Sequence, residues 1–353
     1  MKILFGVHYW GLGHATRDMV IIDRLLRLGH EIDIISTERA LKILKERYKG
    51  RCRYFNVPDL YPLYKLKKFS NFIFTIHTSD LLKSLHDARK ISKKIIKKGN
   101  YDKVIADGRM DVYDKIENSY LIHHQIRFNA YLLVANFTEK VFTQFYKHYR
   151  YLIVPDYEKN NLTGKLSHDP LFTEKKRIKY IGILSNIKKI PLKQDIDYFI
   201  SLSGPEVARI ELERKILEQA YQLKGRIVIA GGNPDSQKVL RRKNIKFYSY
   251  IDQKKQERLM NSAKFIIARG GYTTVMELAE IGKKNVLLIP SPLQSEQEYL
   301  ADLYEKKHWF HHVHQDELDL AKDVAKARKF KGYKPEWRTK KSVDKFIKIL
   351  MEY

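Results

Sequence analysis

Two successive series of short β-type runs alternating with helical stretches constrain this chain more than any other feature. In the first series Lys2–Val7 reads as a buried strand and Arg17–Leu28 as a helix stopped by Gly29. A strand at His30–Ser36, a helix at Glu38–Tyr48 and a strand at Arg53–Val57 follow, and Lys103–Asp107, Tyr120–His123 and Tyr151–Val154 continue the series. The second series restarts at Tyr198–Ser203 and runs through helix Glu206–Gln222, Arg226–Ala230 and Lys246–Ser249. It then takes in helix Gln253–Asn261, Phe265–Ala268, helix Thr273–Ile281 and Val286–Ile289. Strands alternating with helices of about 10–15 residues build parallel, doubly wound sheets. The pattern predicts an α/β protein with two Rossmann-like domains, and its 353 residues suit two domains of roughly 100–200 residues each. The lysine-rich, irregular stretch near Leu184–Lys193, which contains Ile190-Pro191, sets the boundary. Residues 1–185 form the expected N-terminal domain and 186–337 the C-terminal one, leaving a last helix in 338–353 free to pack back on the first.

Composition bounds the function. Hydrophobic residues are 44% of the chain, enough for two cores and too many for disorder. No apolar run approaches the roughly 18–20 residues that cross a bilayer, and the opening run is too short for a signal sequence, so a cytoplasmic protein is expected. The single cysteine, Cys52, excludes an internal disulfide and a thiolate metal cage. Lys and Arg number 67 against 41 Asp and Glu, and the resulting charge of +26 attracts polyanions: nucleic acid, anionic lipid or phosphorylated ligands.

In open α/β sheets ligands bind where strands end and helices begin. After the first strand comes Gly11-Leu12-Gly13-His14-Ala15-Thr16-Arg17. The two glycines allow close backbone approach, the helix start favours anions, and His14 offers a titratable nitrogen suited to a general base. A tight turn with a capping histidine is the plainer alternative. This is not the dinucleotide fingerprint, because His14 interrupts its glycine pattern and no acidic residue ends the second strand. In the second half Ala268-Arg269-Gly270-Gly271-Tyr272-Thr273-Thr274 joins a strand to a helix and reads as a phosphate cradle. Glu277, one turn further, is placed to accept from both hydroxyls of a ribose; a solvated helix-face carboxylate is the alternative. The next strand runs into Pro290–Leu293 and a helix start carrying Gln294 and Gln297, either of which reads a sugar or caps the helix. Ile251 follows another strand, where its backbone can bond a base edge, and Ser203-Gly204 ends the first strand of the second series.

Together these residues resemble the GT-B glycosyltransferases, specifically the MurG-like glycosyltransferase family 28 and a mainly archaeal, poorly characterised branch of it. The matching stretches are Gly11–Arg17 and Tyr250–Tyr299. The resemblance implies two Rossmann-like domains facing a central cleft. It also implies an inverting, metal-independent transfer of a sugar from a UDP-sugar, which is substrate and not cofactor, to a hydroxyl acceptor. His14 aligns with the base; Asp107, read from its place after a strand and not from the resemblance, stands where an acceptor contact or a base-orienting carboxylate belongs. The residues themselves offer Gly11, Gly13, Ser203, Gly204, Arg269, Gly270 and Gly271 to the donor, and the donor side that the resemblance implies begins with Ile251 for uracil. It continues with Thr273 and Thr274 for the diphosphate, Glu277 for the ribose and Gln297 for the donor sugar. Arg17, Arg109, His123-His124 and Arg127 are the candidate acceptor contacts, with capping or surface roles as the alternative. The chain departs from the family at Leu202–Glu206, where the pattern is Gly-Gly-Ser-x-Gly, at Gln297-Glu298 in place of paired glutamines, and at Asn186 in place of an arginine.

Tyr61–Lys98 combines aromatics and lysines with an amphipathic helix. Leu81, Leu85, Ala88, Ile91 and Ile95 form its stripe, rimmed by Arg89, Lys90, Lys93, Lys94, Lys97 and Lys98. It reads either as a surface for anionic membrane, which makes the enzyme peripheral on the inner membrane face with a membrane-associated acceptor, or as a core helix with a solvated basic face. The histidines 308, 311, 312 and 314 lack partners at metal-ligand spacing, and Asp195-Ile196-Asp197 precedes a strand, so no metal site is expected. Two rivals stand beside transfer: a UDP-sugar hydrolase on the same fold, and a basic nucleic-acid-binding protein. No recognised nucleic-acid module appears to support the second.

Overall fold

The computed structural model describes residues 1–9, 12–59, 71–127, 129 and 132–352. The chain divides into two units, one of Met1–Glu158, Lys165–Leu184 and Lys340–Tyr353, the other of Lys159–Gly164 and Ser185–Thr339. The first contains β1 (Lys2–Val7), α1 (Leu12–Arg27), β2 (Glu31–Ser36), α2 (Glu38–Tyr48), β3 (Cys52–Asn56) and α3 (Asn71–Gly99). It continues with β4 (Lys103–Asp107), β5 (Ser119–Ile122), α4 (Leu132–Tyr146), β6 (Tyr151–Val154) and β7 (Ile178–Tyr180). Its strands are parallel and ordered β3-β2-β1-β4-β5-β6-β7, the doubly wound arrangement in which order reverses between β1 and β4.

Strand side chains alternate between two faces, and helices cover both, so every position of these strands can be apolar. Ile3, Phe5 and Val7 pack with Ile22 and Leu25 of α1 and Leu44 of α2, whereas Leu4 turns the other way toward Ala88 and Ile96 of α3 and Tyr146 of α4. The layer over α1 and α2 is completed by Val343, Phe346 and Leu350 of α10 (Thr339–Met351). Lys345 Nζ donates to Tyr180 O at 3.1 Å and fastens that helix.

Helix α3 spends its apolar stripe in this core. Ala88 and Ile96 are buried, Leu85 and Ile95 pack against them, and Ile91 turns outward with Lys90, Lys93, Lys94, Lys97 and Lys98. Of the stripe expected to meet lipid, Leu85, Ala88 and Ile95 are therefore packed against protein, and Ile91 alone of the described stripe residues joins the outward lysine face. The aromatic start at Tyr61–Phe69 lies outside the described residues.

The second unit contains β8 (Ile196–Ser201), α5 (Glu206–Gln219), β9 (Ile227–Ala230), β10 (Val239–Arg242), β11 (Ile245–Tyr248) and α6 (Gln253–Ser262). Then come β12 (Ala263–Ala268), α7 (Tyr272–Ile281), β13 (Val286–Leu288), α8 (Ser295–Lys306), β14 (His311–His312) and α9 (Leu320–Ala327). The order β10-β11-β9-β8-β12-β13-β14 repeats the first sheet's winding, with β10 an added antiparallel edge. Tyr198, Ile200, Ile229, Phe265, Ile267 and Leu287 meet Leu212 and Ile216 of α5 and Val324 of α9. Lys159–Gly164, expected in the first domain, belongs to this unit: Tyr333 Oη donates to Asn160 O at 2.6 Å and Asn160 Nδ2 to Lys334 O at 3.0 Å.

Candidate functional site

The reversal of strand order between β1 and β4 opens the carboxyl ends of both strands to one spot. Val7 pairs with Asp107, and His8 N donates to Asp107 O at 3.0 Å. Helix α1 begins at Leu12, earlier than the sequence suggested, so Gly13 and His14 stand in its first turn and not on a preceding loop. Gly11 lies outside the described residues. From that turn His14 Nδ1 reaches Asp107 Oδ2 at 3.0 Å across 93 residues of sequence. Gly108 makes room: its φ is +66°, and a Cβ there would stand 3.1 Å from His8 Cβ and 3.4 Å from His14 Cε1.

Arg17, one turn along α1, is 1% exposed and clamps the same carboxylate, Nε donating to Oδ2 at 2.9 Å and Nη2 to Oδ1. Its Nη1 lies 3.2 Å from His124 Nδ1, and its Nη2 lies 3.0 Å from His14 Nδ1. One ring nitrogen cannot serve both a donor and an acceptor. The buried anion outbids the already satisfied guanidinium, so His14 Nδ1 carries the hydrogen toward Asp107 and Nε2 keeps its lone pair. Burial pushes the Asp107 carboxyl up, but Arg17 and then His14 more than offset it and hold the group well below the usual carboxylate range. Burial lowers His14 to about 4 against the pull of Asp107, with Arg17 and His8 adding to the fall. At pH 7 His14 is a neutral imidazole whose side chain keeps 17% exposure.

Around this pair lie His123, which the sequence offered beside His124, and three residues that sequence reasoning missed: His8, Asp59 and Asp18. His8 Nδ1 is 2.7 Å from Asp59 Oδ2, and its ring meets that of His14 edge-on with centroids 5.0 Å apart. His123 is lowered to about 3 by burial first and then by its cationic and imidazole neighbours. Asp18 is fully buried on the core face of α1. It could have been found, since it lies at helical spacing between Ala15 and Ile22 where an apolar residue belongs.

Of the positions read as acceptor contacts, Arg17, Arg109, His124 and Arg127 are largely committed elsewhere. Arg17 holds Asp107, and His124 sits against Arg17 with 8% exposure. Arg109 is wholly buried: Nε and Nη2 grip Asp111 at 2.8 and 2.7 Å, while Nη1 and Nη2 donate to Val57 O and Pro58 O. A guanidinium so enclosed braces the loops after β3 and β4 and presents nothing to a ligand. Arg127 Nε is 3.0 Å from Glu139 Oε2, and its Nη2 donates to Asn136 Oδ1 at 3.0 Å, both on α4.

In the second unit the order reverses between β8 and β12, and three loops gather at that edge. After β8, exposed Ser203 leads to Gly204 at φ +100°, where a Cβ would stand 3.0 Å from Ser291 Oγ. After β12, Gly270 and Gly271 lie against Gln297, their Cβ positions 3.7 Å from its carbonyl oxygen and 3.9 Å from its Nε2. Gln297 Oε1 accepts from Ser291 N at 3.0 Å, and its Nε2 donates to Gln294 Oε1. The first backbone bond of α7 runs from Val275 N to Gly271 O, and no side chain caps the helix. The N–H groups of half-buried Thr273 and Thr274 thus stand at the positive end of a helix dipole.

Glu277 is 7% exposed, and burial pushes its carboxyl up to about 8; Gln256 Nε2 donates to Oε2 at 3.4 Å. Half-buried Ile251 leads into α6, where Asp252 caps by accepting from Lys255 N at 2.8 Å. Arg269 departs from the expected donor contact. It is 2% exposed, lowered to about 10 by burial, and donates to Ser203 O, Ile289 O, Pro290 O, Ala208 O and Gln315 Oε1. It ties the three loops together from beneath. Asp195 and Asp197 are engaged by Arg226 and Lys264. Among the described residues no group of three or more His, Cys, Asp or Glu is arranged to hold a metal, and no helix is long and apolar enough to cross a membrane.

Residues 1–112 match the family described as Glycosyl transferase family 1, and residues 208–352 match the Glycosyltransferase family 28 C-terminal domain. An uncharacterized glycosyltransferase of Methanosarcina mazei is 25% identical over 333 residues, covering 87% of this chain and 84% of the relative. The UDP-N-acetylglucosamine--N-acetylmuramyl-(pentapeptide) pyrophosphoryl-undecaprenol N-acetylglucosamine transferase of Clostridium tetani is 25% identical over 290 residues, covering 78% and 74%. Among solved structures, the glycosyltransferase SnogD of Streptomyces nogalater superposes with a TM-score of 0.64 at 12% identity, covering 99% of this chain and 100% of that one. MurG of Acinetobacter baumannii gives 0.58 at 12%, covering 98% and 99%. These two likenesses establish the two-sheet fold.

Proposed function

Because this chain is a MurG-like glycosyltransferase of family 28 with the GT-B fold, we propose that it transfers a sugar from a UDP-sugar to a hydroxyl acceptor, with inversion and without a metal ion. One observation carries the reading: His14 is held by Asp107 with its Nε2 lone pair free, and burial keeps it neutral at pH 7. Such a group accepts a proton and has none to give. His14 takes the acceptor hydroxyl's proton as that oxygen attacks the anomeric carbon from the face opposite the diphosphate. Asp107 fixes the tautomer and stabilises the imidazolium that forms, a contribution of the kind worth about 10²–10⁴ in rate. In the second unit the uncapped first turn of α7 receives the diphosphate, and its fixed N–H dipoles meet the charge that develops on the leaving group. Ionised Glu277 accepts from the ribose hydroxyls, the Ile251 backbone bonds the uracil edge, and Gln297 beside Gly270-Gly271 faces the sugar. The outward lysine face of α3 brings the enzyme to anionic membrane, where a lipid-linked acceptor resides.

The test is UDP release from UDP-sugars by His14→Ala. The expected result is loss of turnover by about 10²-fold or more with UDP affinity nearly intact. Turnover within a few-fold of wild type would remove His14 from the chemistry. UDP release at full rate with no acceptor present would make water the acceptor, the hydrolase reading. Transfer that collapses in EDTA and returns with a divalent cation would overturn metal independence.

A further inference from the structure

The face of α1 that packs on the first sheet is apolar at Ala15, Met19, Ile22 and Leu25, and Asp18 stands among them. It is wholly buried, and neither carboxyl oxygen accepts a hydrogen bond from any described residue. An ionised carboxylate without donors is among the costliest groups a core can hold, and proteins neutralise it instead. The charged and titratable groups near it are Asp107 at the end of β4 and Arg17 on its own helix. Beyond these stand His14, His8 after β1, and His123 and His124 after β5. Arg17 could have balanced a second anion, but its Nε and Nη2 serve Asp107 and its Nη1 lies against His124. Two carboxyl groups thus share one guanidinium, and only one can be charged cheaply. Burial and then the Asp107 charge raise Asp18 well above the carboxylate range, while Asp107 is held well below it.

We propose that Asp18 is a proton-bearing carboxyl whose O–H donates to the Asp107 carboxylate, making Asp18 a positioning residue for the general base. The inference rests on the reading of His14 as that base. A carboxylate has about four lone-pair sites. Those of Asp107 are then filled by two Arg17 donors, the His14 Nδ1–H and the Asp18 O–H, which leaves the carboxylate one orientation. With Asp18 neutral, the nest of Asp107, Arg17 and His14 carries no net charge at rest. It becomes cationic only when His14 takes the acceptor's proton.

Asp18→Asn is nearly isosteric and keeps a neutral donor, whereas Asp18→Ala deletes it. Infrared difference spectra of wild type minus Asp18→Asn at pH 7 should show a protonated-carboxyl C=O band that the variant lacks. The His14 titration followed by NMR should stay within about half a unit in Asp18→Asn, because no charge is removed. An ionised Asp18 would instead show no such band, and its replacement would lower His14 by about a unit or more. Turnover should fall about threefold or less in Asp18→Asn and about tenfold or more in Asp18→Ala, with UDP affinity equal in both. Equal loss in the two variants would overturn the positioning role. The infrared and NMR readouts need no substrate, so they decide the protonation of Asp18 even if His14→Ala stays active and the base assignment fails.

Discussion

Replacing Glu277 by Gln should abolish a pH dependence of UDP binding that the wild type shows. Burial pushes the Glu277 carboxyl up to about 8 in the free protein, so at pH 7 about one molecule in eleven carries its charge. Ribose hydroxyls are donors, and they bind a carboxylate better than a carboxylic acid. Binding must therefore remove the proton first, at a cost of about 1.4 kcal/mol at pH 7 and almost nothing at pH 9. UDP affinity should rise about tenfold between those pH values, with about 0.9 proton released per UDP bound at pH 7. The second ionisation of the terminal phosphate, near pKa ~6, is nearly complete over this range and contributes little. Calorimetry at pH 7 in two buffers of different ionisation enthalpy counts the protons, and Kd at pH 7, 8 and 9 gives the slope. Lys283, lowered to about 8 by burial, titrates in the same window. Its Nζ donates to Ala263 O beyond the far end of α7, and it is still present in the variant, so a slope lost with Glu277 belongs to Glu277. At pH 9 the variant should bind UDP about 1–3 kcal/mol more weakly. A flat wild-type profile, or a slope surviving in Glu277→Gln, would refute the ribose assignment.

Other outcomes follow from the same structure. Because the base must be neutral and is lowered to about 4, turnover at saturating donor should stay level from pH 7 to about pH 5 and fall only below it; an acid limb near pH 6.5 would mean an ordinary, solvated imidazole. Arg109→Ala should cost about 3–5 kcal/mol in urea unfolding, since it leaves the buried Asp111 carboxylate without its cation; a variant of normal stability with weakened acceptor binding would return Arg109 to ligand contact. Co-sedimentation with anionic vesicles should be strong in low salt and lapse as salt rises, each lysine near the surface adding about 1 kcal/mol. Changing Lys93, Lys94, Lys97 and Lys98 to Gln should weaken it and leave UDP affinity alone, and indifference to anionic vesicles would point to a soluble acceptor.

The fold was legible wherever short apolar runs end in glycine or a helix start, because parallel strands covered on both faces are apolar at most positions. Less was legible at the edges. Strand β10 is exposed along its length and carries Val239-Leu240-Arg241-Arg242, so neither alternation nor an apolar run marks it. Helix α4 carries apolar residues around much of its circumference, which blurs the helical period. At the candidate site, His14, Asp107, Glu277 and Gly270-Gly271 drew notice in the sequence because they lie at or just beyond strand ends, a local signal, whereas Gly13, expected on a loop, stands inside α1. The arginines misled for the opposite reason. Arg109 and Arg269 follow strand ends too, yet each folds inward and gives donors to carbonyls that are remote in sequence, Arg109 also gripping Asp111 two residues away. Whether a guanidinium faces a ligand or a loop depends on those long-range partners. The pairing of His8 with Asp59 was hidden in the same way, since 51 residues separate them.

The return of α10 to the first unit orders the birth of the protein on the ribosome. Everything else in that unit is synthesised by Leu184, but its core lacks Val343, Phe346 and Leu350 until roughly 170 further residues are made. At about 5–20 residues per second that interval is roughly ten to thirty seconds. Through it the layer over α1 and α2, which carries His14, has an open apolar trough, while the second unit can complete its own core without waiting. A nascent chain in that state offers chaperones a defined surface. A shortened chain that stopped before Thr339 would keep the trough for good and be exposed to aggregation through it, though His14, Arg17 and Asp107 were all present.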